Sequence, residues 1–470
     1  MKKTILLYNP STVFYDMPLA LLAIGTQVCE AYNVVIVDVR MEKNPQEILE
    51  RHLDDLLLVG VTSLTGAPLK DAIAFSKTVK LLKSDIPVIW GGWHTSLFPE
   101  QVLVDVEEVD VSVQGQGEST FKELVKVYEG EMGLKDVKGI VFRNLEGKVV
   151  KNPPRLMDEM NELPRVNYDL IDVERYFKAK GRRQFDIITS TGCFFRCTFC
   201  ADPFVFSRKF TGQLPDRVFD DLMYYHKKYQ FDDVNFQDET FFTYPKRILE
   251  LAQSVKDAGK PFTWAATMRA DQGSRMTKED FRLCKEGGLR RLLIGVESGS
   301  QEMMDWLKKD IKIEHVRLCA QRCSELGINV IFPFIVGFPK ETEKSIDGTK
   351  SMIRELALMS EGFETPVFYF KPYPGTQITD EVVRDGSYQL PETIQEWSDF
   401  DYIGSKGPWV SDALFKEIER YKFYLRVNRQ RKAILKPLRW ISRGRIKRLN
   451  FSFPIEKVII DRIQPKKELS

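Results

Sequence analysis

Hydrophobic and polar positions alternate with two different periods in the first third of the chain. Five short, mainly apolar runs predict β-strands, and the segments between them carry apolar residues at helical spacing. The predicted strands span residues 4–8, 34–39, 56–62, 87–90 and 109–113. This order predicts an α/β domain at residues 1–137, built on an open, doubly wound parallel sheet.

Small and polar residues gather where these predicted strands end. All strands of a parallel sheet end at one edge, and ligands of such sheets lie beyond that edge. Glycine at this edge lets a flat ligand approach the backbone closely. The candidate binding residues are Ser63, Gly91, Gly92, His94, Gly115, Gly117 and Glu118.

Residues 138–178 are predicted to connect two domains. Two short runs, 139–143 and 148–151, flank the turn-forming residues 144–147 and predict a hairpin. Prolines 153, 154 and 164 then interrupt regular structure on the way to the next domain.

Strand and helix patterns repeat six times in residues 179–400. The predicted strands span residues 185–189, 233–237, 262–266, 290–296, 329–336 and 367–371. Six such units predict a partial (β/α)6 barrel that is open on one side, with its active site at the carboxyl ends of the strands. The polar and glycine residues at those ends are Asp238, Glu239, Arg269, Glu297, Ser298 and Gly337.

Three cysteines follow the first strand of this second domain. Cys193, Cys197 and Cys200 have the spacing Cys-x-x-x-Cys-x-x-Cys. Thiolates are soft ligands that suit zinc or iron–sulfur clusters. A structural zinc site usually takes four protein ligands, and the histidine nearest in sequence is His226. The pattern therefore favours a cluster with one open iron over a zinc site or three buried structural thiols.

The cysteine spacing, with Phe199 before the last cysteine, resembles the radical SAM superfamily over about residues 185–376. The resemblance implies that Cys193, Cys197 and Cys200 hold a 4Fe-4S cluster whose open iron binds S-adenosylmethionine (SAM). Electron transfer, from a reductant such as ferredoxin or flavodoxin, would then release a 5′-deoxyadenosyl radical. The resemblance also implies cofactor contacts at the strand-end residues Asp238, Glu239, Arg269, Glu297, Ser298 and Gly337.

The fifth predicted strand departs from the superfamily pattern. The pattern Gly-x-Ile-x-Gly-x-x-Glu covers residues 333–340 here, and only Ile335 and Gly337 match. We therefore expect the backbone of this strand, rather than a side chain, to contact adenine. For Arg269 and the lone acidic residues, a solvated or salt-bridged surface position is the alternative.

The first domain resembles the cobalamin-binding domain of cobalamin-dependent radical SAM enzymes. The matching residues are 91–94, 98–100, 109–110 and 115–118. The motif Asp-x-His-x-x-Gly, whose histidine binds cobalt in many cobalamin domains, does not occur in the sequence. The resemblance thus implies cobalamin bound without histidine, with His94 lining the pocket at most. A flavodoxin-like domain that has lost its cofactor is the alternative.

Composition is that of a globular protein, with 43% hydrophobic and 29% charged residues and a net charge of +2. No secretory signal precedes the first strand and no apolar run reaches the length of a membrane span, so we expect a cytoplasmic protein. Residues 413–470 carry 17 basic and 5 acidic residues, a net charge of +12 against −10 for the rest.

The mostly helical, basic extension at residues 401–470 has three open interpretations. It contacts an anionic membrane surface, covers the open side of the barrel, or presents a solvated basic face. No nucleic-acid recognition motif is present, and we expect no nucleic-acid partner.

The combined patterns predict a cobalamin-dependent radical SAM methyltransferase that acts on an unactivated carbon of a small-molecule or lipid-like substrate. One SAM would methylate cob(I)alamin, a second would supply the radical that abstracts hydrogen, and methylcobalamin would deliver the methyl group. A radical oxidation or cyclisation of the tetrapyrrole ring-closure type is the alternative reaction. A non-enzymatic corrinoid- or metal-binding protein is the alternative class.

Overall fold

The computed structural model describes residues 2–401, 405–430 and 436–457. It contains a seven-stranded, mostly parallel β-sheet and a six-stranded parallel β-sheet with helices packed against them, followed by a helical carboxyl-terminal region. The predicted fold class is thereby confirmed. No helix in the described part of the chain is long and apolar enough to cross a membrane.

The first sheet has seven strands in the order β2-β1-β3-β4-β5-β6-β7. Its strands are β1 (Thr4–Asn9), β2 (Asn33–Asp38), β3 (Leu56–Thr62), β4 (Val88–Gly91), β5 (Val111–Val113), β6 (Ile140–Arg143) and β7 (Val149–Lys151). Strands β1 to β5 are parallel. The chain order reverses between β1 and β3, so ligands are expected beyond the carboxyl ends of these two strands.

Six helices accompany this sheet. They are α1 (Leu19–Thr26), α2 (Pro45–Glu50), α3 (Pro68–Leu82), α4 (Trp93–Leu97), α5 (Pro99–Asp105) and α6 (Glu118–Tyr128). Alternate residues of β1 face opposite sides: Leu6 packs in the cluster with α3 and α5, whereas Ile5 packs in the cluster with α1 and α6. The predicted double winding therefore exists, with one apolar core on each face.

The predicted hairpin in residues 138–178 is present but does not belong to a separate connector. Strand β6 pairs antiparallel with β5, and β7 pairs with β6, so the hairpin extends the first sheet. The boundary predicted after residue 137 is wrong for this reason. The hairpin supplies the sheet with an antiparallel edge, a common feature of mixed sheets.

The second sheet has six parallel strands in the order β16-β14-β13-β12-β11-β8, and a short pair, β15 and β17, continues it. The strands of this domain are β8 (Gln184–Ile187), β9 (Ser190–Gly192), β10 (Phe210–Gly212), β11 (Asp233–Phe236), β12 (Thr263–Met268), β13 (Leu289–Ile294), β14 (Asn329–Ile331), β15 (Phe334–Val336), β16 (Phe363–Glu364) and β17 (Val367–Tyr369). Six strand–helix units confirm the partial barrel.

Two prolines divide the last two predicted strands. Pro333 separates β14 from β15, and Pro366 separates β16 from β17. The ladder nevertheless continues through the break, because Phe332 N donates to Glu364 O across 2.7 Å and Phe334 N to Pro366 O across 2.9 Å. Proline has no N–H to give the ladder, which accounts for the interruption.

The second domain also contains helices. They are α7 (Val173–Lys180), α8 (Asp202–Val205), α9 (Pro215–Tyr229), α10 (Pro245–Asp257), α11 (Ala270–Arg275), α12 (Lys278–Glu286), α13 (Gln301–Trp306), α14 (Ile313–Leu326), α15 (Glu343–Met359) and α16 (Gln377–Arg384). The final helices are α17 (Ile394–Ser398), α18 (Asp412–Asn428) and α19 (Lys436–Arg448).

Buried polar contacts join the two domains. Met17 N, from the loop after β1, donates to the Asp186 carboxylate on β8 across 2.9 Å. Tyr176 of α7 donates to Asp38 at the end of β2 across 2.7 Å. Polar pairs of this kind fix the orientation of two apolar surfaces, so the carboxyl ends of both sheets are held against one shared space.

Candidate functional site

The cysteine loop leaves the barrel beyond the carboxyl end of β8. Strands β9 and β10 form a short antiparallel ribbon there, in which Gly192 pairs with Phe210. Gly192 has a φ of +87°, and a Cβ atom at this position would lie 2.4 Å from the carbonyl oxygen of Lys209. Only glycine fits this approach, and it directly precedes Cys193.

The segment 307–310, after α13, contacts the same loop. Thr198 N donates to Leu307 O across 3.0 Å. Arg196 forms a two-pronged ion pair with Asp310, with both N–O distances 2.9 Å. Lys308 and Asp310 have positive φ angles of +47° and +55°, a conformation that non-glycine residues keep only where their surroundings hold them.

Lys309 of this segment is buried and pairs with Glu297. Its Nζ lies 2.6 Å from Glu297 Oε1 and 5.6 Å from the ring of Phe199 in the cysteine loop. Glu297 has a φ of +65°, and its carbonyl oxygen accepts from Ile335 N across 2.8 Å. Removing either partner would leave the other charge buried and unpaired. Glu297 thus holds a cation beside the cysteine loop.

Arg269, immediately after β12, contacts a cysteine directly. Its Nη1 donates to Cys197 Sγ across 3.5 Å, and the guanidinium stacks 3.6 Å from the ring centre of Phe195. Asp271 accepts from Nε across 3.0 Å, and the Lys309 carbonyl accepts from Nη2. Arg269 is therefore salt-bridged to Asp271, as the alternative allowed, but its side chain is largely buried beside the cysteine loop rather than solvated.

Burial disfavours ionisation of two of the thiols in this loop, those of Cys193 and Cys200. It raises the pKa of Cys193 to about 11 and raises the pKa of Cys200 well above its ordinary value. The charge of Arg269 lowers the pKa of Cys193, whereas the charge of Cys197 raises it. The thiolates of Cys193 and Cys200 therefore need a nearby positive charge or a bound metal.

Two adjacent carboxylates after β11 have different surroundings. Asp238 is buried and accepts from Thr189 N across 2.9 Å and from Thr189 Oγ1 across 2.8 Å, so it ties β8 to β11. Glu239 accepts from Gly192 N across 3.2 Å. Burial raises the pKa of Glu239 to about 8. Asp238 is engaged in protein contacts, whereas Glu239 faces the space between the domains.

Ser298 and Gly337 are engaged within the protein. Ser298 Oγ lies 3.1 Å from Thr349 Oγ1 and accepts from Ser300 N across 3.2 Å at the start of α13. Gly337 has a φ of +88°, and a Cβ atom there would lie 2.2 Å from Val410. The Ser298 side chain therefore does not face a ligand space, and Gly337 acts through its backbone.

A cavity of about 410 Å3 lies between the domains, at the carboxyl edges of both sheets. The first sheet contributes the glycine-rich strand ends, and α1 forms part of the wall. The second domain contributes Ile188, Thr191, Gln213 and Glu239. The cavity-lining residues that the sequence identified are Gly91, Gly92, Gly115, Gly117, Glu118 and Glu239. The two predicted ligand edges thus form one site.

Family models match both halves of this site. Residues 187–353 match the Radical SAM superfamily, and residues 6–125 match the B12 binding domain. The chain is a cobalamin-dependent radical SAM enzyme. Its cofactors are a 4Fe-4S cluster, SAM and cobalamin.

Individual relatives agree with this family. The chain is 28% identical over 87% of its length to an uncharacterized methyltransferase of Pyrococcus horikoshii, covering 88% of that protein. It resembles the solved cobalamin-dependent SAM radical enzyme OxsB, bound to aqua-cobalamin and SAM, with a TM-score of 0.76 at 18% identity over 100% of this chain and 74% of that chain. It also resembles the radical SAM methyltransferase TsrM of Kitasatospora setae, with a TM-score of 0.70 at 19% identity over 82% and 76% of the two chains. The structural likenesses show a shared fold.

The residues of this site suit these cofactors chemically. No three Cys, His, Asp or Glu side chains among the described residues are placed to hold a single metal ion. Thiolates around a four-iron cluster lie further apart than ligands of one ion. Three thiols in one loop, with Arg269 bonded to Cys197 and Lys309 near the ring of Phe199, suit such a cluster. Glycines at the first sheet's edge suit the close approach of a flat macrocycle.

His94 and Ser63 are not part of the cavity lining, which corrects the prediction for both residues. The His94 ring is buried, with Nδ1 3.1 Å from Thr65 Oγ1, and it packs against Phe98 and Trp397. Ser63 Oγ donates to Gly91 O across 3.0 Å and thereby joins the ends of β3 and β4. Both side chains therefore stabilise the strand ends from positions outside the cavity lining.

Sequence reasoning missed the segment 389–400, which returns to the first domain. Helix α17 packs on α3 and α5, and Trp397 is completely buried in the core of the first domain. Ile394 N donates to Asp105 across 2.8 Å, and Gly66 N donates to Trp397 O across 3.1 Å. The aromatic residues of this segment were the available signal, but no local pattern shows that they pack on a distant domain.

Glu341 was also missed, because it lies one position beyond the glutamate of the superfamily pattern. Its carboxylate accepts from Gly337 N, and backbone bonds from Gly337 and Phe338 lower its pKa. Burial has the larger effect and raises the pKa of Glu341 to about 7. The glutamate thus holds the loop after β15 despite the altered spacing.

Proposed function

We propose that the protein is a methyltransferase that transfers a methyl group to an unactivated carbon of a small molecule. The observation that carries this proposal is the single cavity bordered by the carboxyl edges of both sheets. Relatives support it: besides the Pyrococcus protein, a cytidylyl-2-hydroxyethylphosphonate methyltransferase of Streptomyces wedmorensis is 24% identical over 83% of each chain. The substrate of this chain is not inferred from those relatives.

In this proposal Cys193, Cys197 and Cys200 hold the cluster, and the glycine-rich strand ends of the first domain hold cobalamin. When bound, the cluster and SAM supply a 5′-deoxyadenosyl radical, and cobalamin supplies the methyl group. Arg269 donates a hydrogen bond to Cys197 Sγ and so helps to position this ligand sulfur. The apolar walls of the cavity exclude water from reactive species.

Glu239 is the side chain that we propose for the SAM ammonium group. It lies beside Gly192 at the cysteine loop and also lines the cavity. Burial keeps its pKa at about 8, so an incoming cation would favour its ionised form and gain a charge-assisted hydrogen bond. Asp238 would position Thr189 and the strand ends instead of contacting SAM.

A radical cyclisation is the second candidate reaction. An anaerobic magnesium-protoporphyrin IX monomethyl ester cyclase of Rubrivivax gelatinosus is 25% identical over 69% of this chain and 59% of that protein. The lower coverage of that relative favours methyl transfer. The two reactions differ in products, because methyl transfer converts one SAM to S-adenosylhomocysteine in addition to the SAM that yields 5′-deoxyadenosine.

The decisive experiment is anaerobic reconstitution with iron, sulfide and cobalamin, followed by reaction with methyl-deuterated SAM and a chemical reductant. We expect about four irons per chain, 5′-deoxyadenosine, and the deuterated methyl group on cobalamin. Cys197→Ala should abolish 5′-deoxyadenosine, whereas Cys284→Ala, in the apolar core, should retain it. Formation of 5′-deoxyadenosine without methylated cobalamin would favour the cyclisation class.

The proposal includes contact of the carboxyl-terminal region with an anionic lipid surface. Helix α18 packs against the barrel through Ile418, Tyr421 and Tyr424, so it covers protein rather than lipid. Helix α19 buries Ser442 and Ile446 against this layer. Four of its exposed residues, Lys436, Trp440, Arg443 and Lys447, follow one another at four- and three-residue spacing and so share one face. A basic face with one exposed tryptophan suits the interface of an anionic bilayer.

A further inference from the structure

An exposed basic surface lies directly over the cysteine loop. We name it the loop patch and define it by Phe194, Arg196, Arg208 and Lys209. Phe194 is 37% exposed although it lies between Cys193 and Cys197, and the three basic side chains are exposed. An aromatic side chain surrounded by cations at the surface is typical of a protein interface rather than of a random solvated region.

The patch is held close to the cysteines by backbone contacts. The Lys209 carbonyl lies against Gly192, and Phe210 pairs with Gly192 in the β9–β10 ribbon. The guanidinium of Arg208 approaches the Phe194 carbonyl, with Nε and Nη2 both at 3.4 Å. Arg208 and Lys209 therefore lie next to the cysteine loop.

Positive charge exceeds negative charge at this position. The Arg196 ion pair is the largest cause that lowers the pKa of Asp310, and the charges of Arg269 and Arg208 lower it further. Asp310 is thus paired with Arg196 and also experiences the positive charges of Arg269 and Arg208. Among the described residues, Arg208 and Lys209 make no ion pair within 4.0 Å. The surface retains an excess of positive charge that is available to a partner.

The first domain covers the other approach to the cysteines. The cavity between the domains is lined by Thr191, Val205, Phe206 and Glu239 from the region around the loop, and the first sheet closes it. Substrate and cobalamin would occupy that side. An electron that must reach a cluster on Cys193, Cys197 and Cys200 therefore has its open route from the loop patch.

We propose that the loop patch docks an acidic one-electron carrier protein, such as a flavodoxin or ferredoxin, for reduction of the cluster. The inference rests on the proposed function, because it assigns the partner of the same cluster. One electron passes from the reduced carrier to the oxidised cluster, which becomes one unit more negative. Transient electron-transfer interfaces are small and rely on complementary charge for fast encounter.

The test measures how fast the reconstituted full-length protein oxidises flavodoxin hydroquinone in an anaerobic stopped-flow instrument. Electrostatic steering changes association rates by about 10-fold to 1,000-fold. We expect Arg208→Glu with Lys209→Glu to lower the second-order rate constant at least about 10-fold at low ionic strength, and the difference to shrink at high salt. Arg208→Gln with Lys209→Gln should give an intermediate rate.

The matched control carries the same change in charge elsewhere. Lys77→Glu with Lys126→Glu alters exposed positions on α3 and α6 of the first domain and should leave the rate unchanged. SAM cleavage driven by dithionite, a small reductant, should be equal in the Arg208/Lys209 variants and the wild type. This arm separates docking from damage to the cluster.

Equal flavodoxin oxidation by wild type and the charge-reversed variant at low salt would overturn the proposal. Equal losses with flavodoxin and dithionite would also overturn it, since the substitutions would then act on the cluster. Suppose that anionic vesicles or nucleic acid bind the patch, while the Arg208 and Lys209 substitutions do not change flavodoxin oxidation. The patch would then be assigned to those partners instead. Charge-dependent reduction of the cluster in a protein that forms no methylated cobalamin would retain the docking site and remove the proposed methyl transfer.

Discussion

The Arg269 guanidinium lies 3.5 Å from Cys197 Sγ and is held there by Asp271. A hydrogen bond to a ligand sulfur stabilises the reduced, more negative form of an iron–sulfur cluster. We expect Arg269→Gln to shift the midpoint potential of the reconstituted cluster to a lower value. Redox titration followed by electron paramagnetic resonance, without SAM, measures this shift independently of turnover.

Arg275 provides the control for that experiment. It also pairs with Asp271, at 3.1 Å, but its side chain is 73% exposed and no contact with a cysteine is present among the described residues. Arg275→Gln should leave the midpoint potential unchanged. An identical shift in both variants would mean that Asp271, rather than the hydrogen bond to Cys197, controls the potential.

Trp397 should contribute more to stability than its position near the carboxyl-terminal region suggests. Its side chain is completely buried in the first domain. Trp397→Ala creates a cavity and should lower the free energy of unfolding by about 3–5 kcal/mol. Trp440, 79% exposed on α19, is the matched control, and Trp440→Ala should change stability by less than about 0.5 kcal/mol. Denaturant unfolding measures both values, and similar small losses would show that α17 does not complete the core.

The strands and the three-cysteine loop could be predicted because each depends on local pattern. Strand periodicity identified β1 to β5 and the six barrel units, and the cysteine spacing identified the family. Long-range packing could not be predicted in this way. Nothing in the sequence near residue 397 indicates a partner near residue 94, and nothing around Glu297 specifies Lys309. The rotation of the His94 ring away from the cavity depends on such a distant contact.

Cobalamin should bind without a histidine ligand. The one histidine at a strand end of the first domain, His94, faces Thr65 and Trp397 rather than the cavity. Electron paramagnetic resonance of the cob(II)alamin form should therefore show no splitting from a protein axial nitrogen, in the wild type and in His94→Ala alike. Axial nitrogen splitting that His94→Ala removes would contradict this arrangement.

His94 should make stability depend on pH. Burial lowers its pKa to about 4, from an ordinary value of 6.5 in the unfolded chain. The unfolded state therefore takes up a proton below pH 6.5 while the folded state does not, so stability is lost as pH falls from 6.5 towards 4. The loss should approach about 1.4 kcal/mol per pH unit. We therefore expect this group to make the free energy of unfolding, measured in urea, ~1 kcal/mol lower at pH 5.5 than at pH 7.5. The difference should be smaller in His94→Gln, and an equal difference would assign the effect to other groups.

The exposed face of α19 should bind anionic bilayers in a salt-dependent manner. Lys436, Trp440, Arg443 and Lys447 share that face, and each basic residue near an anionic surface contributes about 1 kcal/mol. We expect the protein to sediment with phosphatidylserine vesicles at low salt, less at high salt, and little with neutral phosphatidylcholine vesicles. Lys447→Glu and Trp440→Ser should each weaken binding several-fold. Leu145→Ser, at a fully exposed turn between β6 and β7, changes an equally exposed apolar residue and should have no effect. Absence of binding at low salt, or equal weakening by Leu145→Ser, would leave the basic face of α19 as solvated surface.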